Sequence, residues 1–136
     1  MPLLLDTCAA IWLVEGQGLS KGATEALASA ATDRETVLVS PITAWEIGVL
    51  SAKGRLRMPL SPHAWFERLL RMPGISLAEL SYKVLVDSSF LPGSSPRDPV
   101  DRILSATARE WSYCLVTRDR HLLDYAGDGH IQALAC

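Results

Sequence analysis

The chain opens on three large apolar residues in a row, Leu3-Leu4-Leu5, and turns polar at Asp6 and Thr7. A run without alternation leaves no solvent face, which is the pattern of a strand buried on both sides. Val37-Leu38-Val39 repeats it, and Tyr113-Cys114-Leu115-Val116 repeats it again before Thr117. Ile75-Ser76-Leu77 is a weaker strand, and residues 131–134 offer a last one. Between these stretches the apolar spacing becomes helical. A helix is predicted over about 7–14, with Thr7 as a possible cap, and a second over 20–33. Ser20 is the N-cap of the second, with Ala23, Leu27 and Ala30 on its apolar face. Ser40-Pro41 and Ser61-Pro62 each read as a capped helix start with proline at the first helical position. The first of these helices carries Ile42, Trp45, Val49 and Leu50 toward a core and ends in the basic turn 53–57. The second places Trp65, Leu69 and Leu70 on one face. A helix near 81–89, the breaker-rich loop 91–96, a helix from Pro99 to Trp111 and a short helix near 120–125 complete the pattern.

Strands that alternate with helices predict an α/β fold, a parallel sheet of four to five strands with helices on both faces. The 136 residues show no repeat or linker and are read as a single domain, 1–136. No apolar run approaches the roughly 18 residues of a membrane helix. No basic stretch precedes the apolar start, so no signal peptide is expected and the cytoplasm is the default location. Cys8, Cys114 and Cys136 are odd in number and far apart, which excludes a disulfide framework or a zinc spacing and fits a reducing compartment. The formal net charge of -2 gives no global pull toward nucleic acid, so any polyanion contact must be a local patch.

The chemistry-bearing residues are acidic. Asp6 is delivered by an apolar strand to the carboxyl end of the sheet, where open α/β sheets bind ligands. Asp119 follows another strand, Asp98 and Asp101 flank a helix start, and Glu46 lies within a helix. Ser105 continues the face of Asp101 four residues on. Gathered together, such carboxylates repel and need a cation, and hard oxygen donors without His or Cys suit Mg²⁺ or Mn²⁺. Such a site supports in-line hydrolysis of a phosphodiester. Taken singly, Asp98 and Asp101 also fit helix-start carboxylates, Asp119 fits a cap, and Glu46 fits a solvated helix face.

Four stretches resemble, in order, the motifs of PIN-domain ribonucleases, most of all the VapC-type toxins of toxin–antitoxin pairs. They are Leu4-Leu5-Asp6-Thr7, Trp45-Glu46-Ile47, Asp98-Pro99-Val100-Asp101-Arg102 with Ala106-Thr107-Ala108, and Leu115-Val116-Thr117-Arg118-Asp119. The resemblance runs from about residue 3 to 134. It implies a PIN-like fold and a Mg²⁺-dependent endoribonuclease, with Mn²⁺ as a substitute, cutting single-stranded regions of RNA. The family's acids fall on Asp6, Glu46, Asp101 and Asp119, with Asp98 as an additional acid of a subgroup, and Thr7 and Thr117 fall on supporting polar positions. Arg97 stands where that subgroup carries His, and Val100 where an aromatic is common. The resemblance also implies a homodimer and a small antitoxin that covers the acidic site.

Flanking cations would hold RNA: Lys53, Arg55 and Arg57 form the densest cluster, while Arg97, Arg102 and Arg118 lie beside the acids. Arg102 and Arg118 equally suit pairing with those carboxylates, and the 53–57 cluster equally suits a solvated helix end. Trp12, Trp45, Trp65 and Trp111 are expected in the core, and His63, His121 and His130 show no ligand spacing. Three alternatives remain: an RNA-processing nuclease that is not a toxin, a PIN-like module that binds RNA or a partner without cutting, and a phosphatase with Asp6 as nucleophile. The last is disfavoured by Cys8 standing where a second Asp is wanted.

Overall fold

The computed structural model describes residues 1–16 and 18–136. Its elements alternate along the chain: β1 (Leu3–Leu5), α1 (Thr7–Glu15), α2 (Lys21–Thr32), β2 (Val37–Val39), α3 (Pro41–Ala52) and α4 (Pro62–Arg71). They continue with β3 (Ile75–Leu77), α5 (Tyr82–Asp87), α6 (Pro99–Trp111), β4 (Cys114–Thr117), α7 (Arg120–Gly127) and β5 (Gln132–Ala135). The five strands form one parallel sheet in the order β3-β2-β1-β4-β5. The α/β expectation therefore holds, including the weak strand at 75–77.

β1 is the central strand, paired with Val37–Val39 on one side and Cys114–Val116 on the other. Its alternating side chains feed two separate cores. Leu3 and Leu5 pack with Val39, Val116, Ile47, Trp65 and Leu69. Leu4, on the opposite face, packs with Leu104, Leu115, Leu122 and Tyr125. All neighbours being parallel, every strand ends at the same rim, and the residues just beyond β1 and β4 meet there.

Local signals place most helix starts. Ser40 and Ser61 accept hydrogen bonds from the amides of Ile42 and Ala64 at 3.1 and 3.2 Å, and proline follows each. Two expectations are corrected. The cap of α1 is Asp6, not Thr7: Asp6 Oδ1 accepts from the Ala9 amide at 2.8 Å. Trp45 and Trp111 are not core residues, being 59% and 42% exposed. Thr43 and Ile47, each two positions from Trp45, are buried, and two residues are about 200° of helical turn, so Trp45 faces outward. Trp111 ends α6, beyond the buried stretch 104–108. Trp65 is buried as expected, and Trp12 is half-buried.

Leu4→Ala is expected to cost about 2–4 kcal/mol in urea unfolding, because the cavity it leaves lies in the sheet's centre. Trp45→Ala should cost under about 0.5 kcal/mol. Equal losses for the two would contradict the placement of Trp45.

Candidate metal centre

Three of the acids are helix caps. Asp6 starts α1, Asp98 starts α6 and Asp119 starts α7, each accepting through Oδ1 from an amide one turn on: Ala9 at 2.8 Å, Asp101 at 3.0 Å and Leu122 at 3.0 Å. Capping uses one carboxylate oxygen and sets the carboxylate against the positive end of a helix dipole. The cap reading and the metal reading thus coexist in the same residues. Asp6 is held at both ends, since Oδ2 accepts from the Thr117 hydroxyl at 2.5 Å. Thr117 Oγ1 in turn accepts from the Asp119 amide at 3.0 Å, so one buried hydroxyl joins the two strand-end acids.

The remaining acids share this field. Asp101, in the first turn of α6, has its pKa pushed up to about 7, by burial first and then by Asp98, Asp119, Asp6 and Glu46. Asp6 is raised by burial, which the Thr117 and Ala9 hydrogen bonds oppose and Asp119 reinforces. Glu46, in the middle of α3, is raised by burial, eased by the Thr7 hydroxyl, and raised again by Asp98 and Asp6. Thr7 is buried, with its hydroxyl 3.4 Å from that of Thr43. Ser105 is fully buried one turn from Asp101, and its Oγ is the one buried side-chain polar atom without a partner among the described residues. Cys8 lies in the same field, its thiol held up by burial and then by Asp6, Glu46 and Asp101.

Among the described residues no three Asp, Glu, His or Cys side chains close into a ready cage for an ion. Instead Asp98, Asp101 and Asp119 line a cavity of about 530 Å³, with Asp6 and Glu46, outside its lining, acting on Asp101 through their charge. The donor chemistry fits a hard divalent cation: carboxylate oxygens only, in mutual repulsion that a cation would relieve.

The basic residues divide. Arg97 lines the cavity. Lys53, Arg55 and Arg57 are exposed in and beyond the turn after α3, away from its lining. Arg118 is exposed and already holds partners of its own. Its Nε donates to the Cys136 carbonyl at 2.9 Å, Nη2 donates to the Gly18 carbonyl at 2.5 Å, and its guanidinium lies 3.7 Å over the Trp12 ring. It ties the β4–α7 junction to the last strand and to the segment after α1. Arg102 likewise binds backbone, the carbonyls of Ser88 and Pro96, rather than the acids. The sequence did not mark the rest of the cavity lining, which includes Ser94 and Ser95, His121 and Asp124 of α7, and Asp128 just after that helix. The i, i+3, i+7 polar spacing at 121, 124 and 128 was the signal available.

Comparison with known proteins gives a consistent picture. The PIN domain family model matches residues 3–128. Ribonuclease VapC22 of Mycobacterium tuberculosis is 31% identical over 121 residues, 88% of each chain. Among solved structures, VapBC2 from Rickettsia felis bound to a promoter DNA fragment superposes with a TM-score of 0.68 at 14% identity, covering 99% of this chain and 98% of that one. FitAcB from Neisseria gonorrhoeae gives 0.58 at 20% identity, covering 97% and 96%. FitAB bound to an IR36 DNA fragment gives 0.60 at 18% identity, covering 98% and 94%. At these identities the solved structures show the fold alone.

A carboxyl group that holds its proton more tightly in the folded state destabilises that state as pH rises. With Asp101 raised from the ordinary 3.8 to about 7, the metal-free protein is expected to lose stability as pH climbs between those two values and to level off above the upper one. The loss should be roughly 1–2 kcal/mol after allowing for solvent screening. Urea midpoints in chelator at pH 5 and 7.5 measure it, and Asp101→Asn should flatten the difference; an unchanged slope in that variant would contradict the assignment. Arg118→Met is expected to weaken Mn²⁺ binding about tenfold by loosening the Thr117–Asp119 segment. RNA affinity measured in an Asp6→Asn background should stay as it was, and the opposite result would make Arg118 a phosphate contact.

Proposed function

Because the chain belongs to the PIN-domain family, we propose that it is the ribonuclease toxin of a toxin–antitoxin pair, cutting phosphodiester bonds in single-stranded RNA. The observation that carries this reading is the shared field of five carboxylates, in which Asp101 is lifted to about 7. A fold gains nothing in stability from such crowding, so its use lies in what the crowd binds. The relative at 31% identity is a ribonuclease by name, and its match extends over most of this chain.

Asp6, Glu46, Asp101 and Asp119, with Asp98 beside them, hold Mg²⁺ in this reading, and Mn²⁺ substitutes for it. The bound ion supplies the positive charge the field lacks and Lewis acidity toward the phosphate. The chain's own residues do the rest. The Ala9 amide and the Thr117 hydroxyl fix both oxygens of Asp6, so its orientation is set before anything binds. Asp98 and Asp119 each keep Oδ2 free of their helix caps. Thr7 steadies Glu46, and Ser105 holds an unused hydroxyl one turn below Asp101. Arg97 at the cavity meets the RNA backbone, with Lys53, Arg55 and Arg57 as outlying contacts.

The partner in this reading is an antitoxin that covers the acidic rim and neutralises it. Exposed Tyr82, Val86 and Phe90, spaced four residues apart along α5 and the turn after it, give a second copy an apolar face for a homodimer. None of the described helices is long and apolar enough to cross a membrane, and the proposed place of action is the cytoplasm, where the RNA is.

Asp6→Asn should lower Mg²⁺-dependent RNA cleavage by about 100-fold or more, leave the unfolding midpoint near that of the parent, and relieve growth inhibition on expression. Chelation should silence the parent reversibly. Cleavage that survives both treatments would remove the acids from the mechanism.

A further inference from the structure

We propose that the cavity beside the carboxylates is a nucleobase subsite that selects guanine in the RNA strand being cut, an inference that rests on the ribonuclease reading above. Its volume of about 530 Å³ falls within the roughly 300–1,000 Å³ of pockets that enclose small molecules. Asp98, Asp101 and Asp119 belong to its lining, so a nucleotide lying in it is continuous with a phosphate that reaches those acids. α7 and its C-cap contribute His121, Asp124, Tyr125 and Asp128 to the lining, spaced i, i+3, i+4 and i+7. The loop carrying Ser94, Ser95 and Arg97 completes the lining.

Charge sorts what each part can hold. Asp124 and Asp128 repel phosphate, and among the described residues neither is in an ion pair. The sugar–phosphate backbone therefore stays toward Arg97, and the base is what enters. An ionised carboxylate only accepts hydrogen bonds. Guanine is the base that sets two N–H donors side by side, the ring N1–H and the exocyclic amino group, matching both oxygens of one carboxylate. Adenine and cytosine place an acceptor beside their amino group, and uracil flanks its single N–H with two carbonyls. Ser94 and Ser95 supply hydroxyl donors for the guanine carbonyl, and the His121 ring supplies a stacking face. Single-stranded RNA leaves this base edge free to be read. Arg97 in the lining favours a nucleotide over a partner's cationic side chain.

The loop wall is fixed before binding. Tyr125 Oη donates to the Pro92 carbonyl at 2.6 Å. Arg102 donates to the Ser88 carbonyl at 2.9 Å and to the Pro96 carbonyl at 3.1 Å. The Tyr125 ring sits 4.8 Å from the His130 ring, and Gly93, at φ 66, lies so close over His130 that any Cβ would collide with Nε2. A wall already ordered loses little entropy when a base enters, which favours discrimination between bases.

The test is calorimetric titration of the purified chain, with Mg²⁺ present, using the 5′-monophosphates of guanosine, inosine, adenosine, cytidine and uridine. Cleavage of oligonucleotides that carry a single guanine at each position around the cut is followed in parallel. Guanosine monophosphate is expected to bind roughly tenfold more tightly than uridine monophosphate, with inosine monophosphate, which lacks the amino group, between them. Asp124→Asn combined with Asp128→Asn should erase the preference while Mn²⁺ affinity and the unfolding midpoint hold. Indifference to the base in both assays, with RNA still cleaved, overturns the subsite and leaves the ribonuclease reading intact. Guanine-selective binding without any cleavage supports the subsite and removes that reading. An arginine-rich peptide that binds the parent but not the double variant, with mononucleotides ignored by both, overturns the proposal in favour of a cationic partner.

Discussion

The repulsion among Asp6, Glu46, Asp98, Asp101 and Asp119 is the interaction the rest of the structure is arranged to withstand. Burial and like charge both oppose ionisation, and together they push Asp101 up to about 7. A domain stable by only about 5–15 kcal/mol cannot leave such a cluster unsupported. The support is local and directional. Three of the five acids sit on helix N-termini, where amide N–H groups and the dipole favour negative charge. Asp6, the most enclosed strand-end acid, also takes the Thr117 hydroxyl.

That arrangement requires a rigid rim. β1 is gripped by parallel neighbours on both sides and by apolar cores on both faces, so the position of Asp6 is over-determined. The β4–α7 junction is held differently, by the guanidinium of Arg118 on two carbonyls and one indole. The loop ahead of α6 is held by Arg102 and Tyr125. Arg102 and Arg118, each next to one of the acids in sequence, therefore spend their guanidinium groups on backbone carbonyls rather than on those carboxylates.

The fold was largely legible because β1 and β2 are short uninterrupted apolar runs and three helices, α3, α4 and α6, begin with Ser-Pro or Asp-Pro pairs. The order of the acids was legible too, since three of them lie at element boundaries that the apolar pattern marks. What misled was direction. Trp45 looked like a core residue because large aromatics usually are, yet its helical phase relative to Thr43 and Ile47 points it outward. Arg118, standing between Thr117 and Asp119, suited a phosphate or a neighbouring carboxylate, and it donates instead to the Cys136 and Gly18 carbonyls. Thr7 looked like the cap because it has a hydroxyl, whereas Asp6 occupies the extended position from which a side chain reaches back to the Ala9 amide.

Residue order alone determined the alternation of strand and helix, the parallel sheet and the delivery of Asp6 and Asp119 to one rim, because these follow from local periodicity and from the geometry that parallel crossovers impose. Only the tertiary structure decided that Glu46 and Asp101 join them closely enough to be perturbed, since each arrives on a helix whose rotation is set by packing. It alone decided that Arg118 and Arg102 donate to backbone carbonyls distant in the chain. It also opened the cavity between residues 94–97 and α7, whose walls are separated by the whole of α6 and β4 in the chain and meet only because the sheet brings them to the same edge.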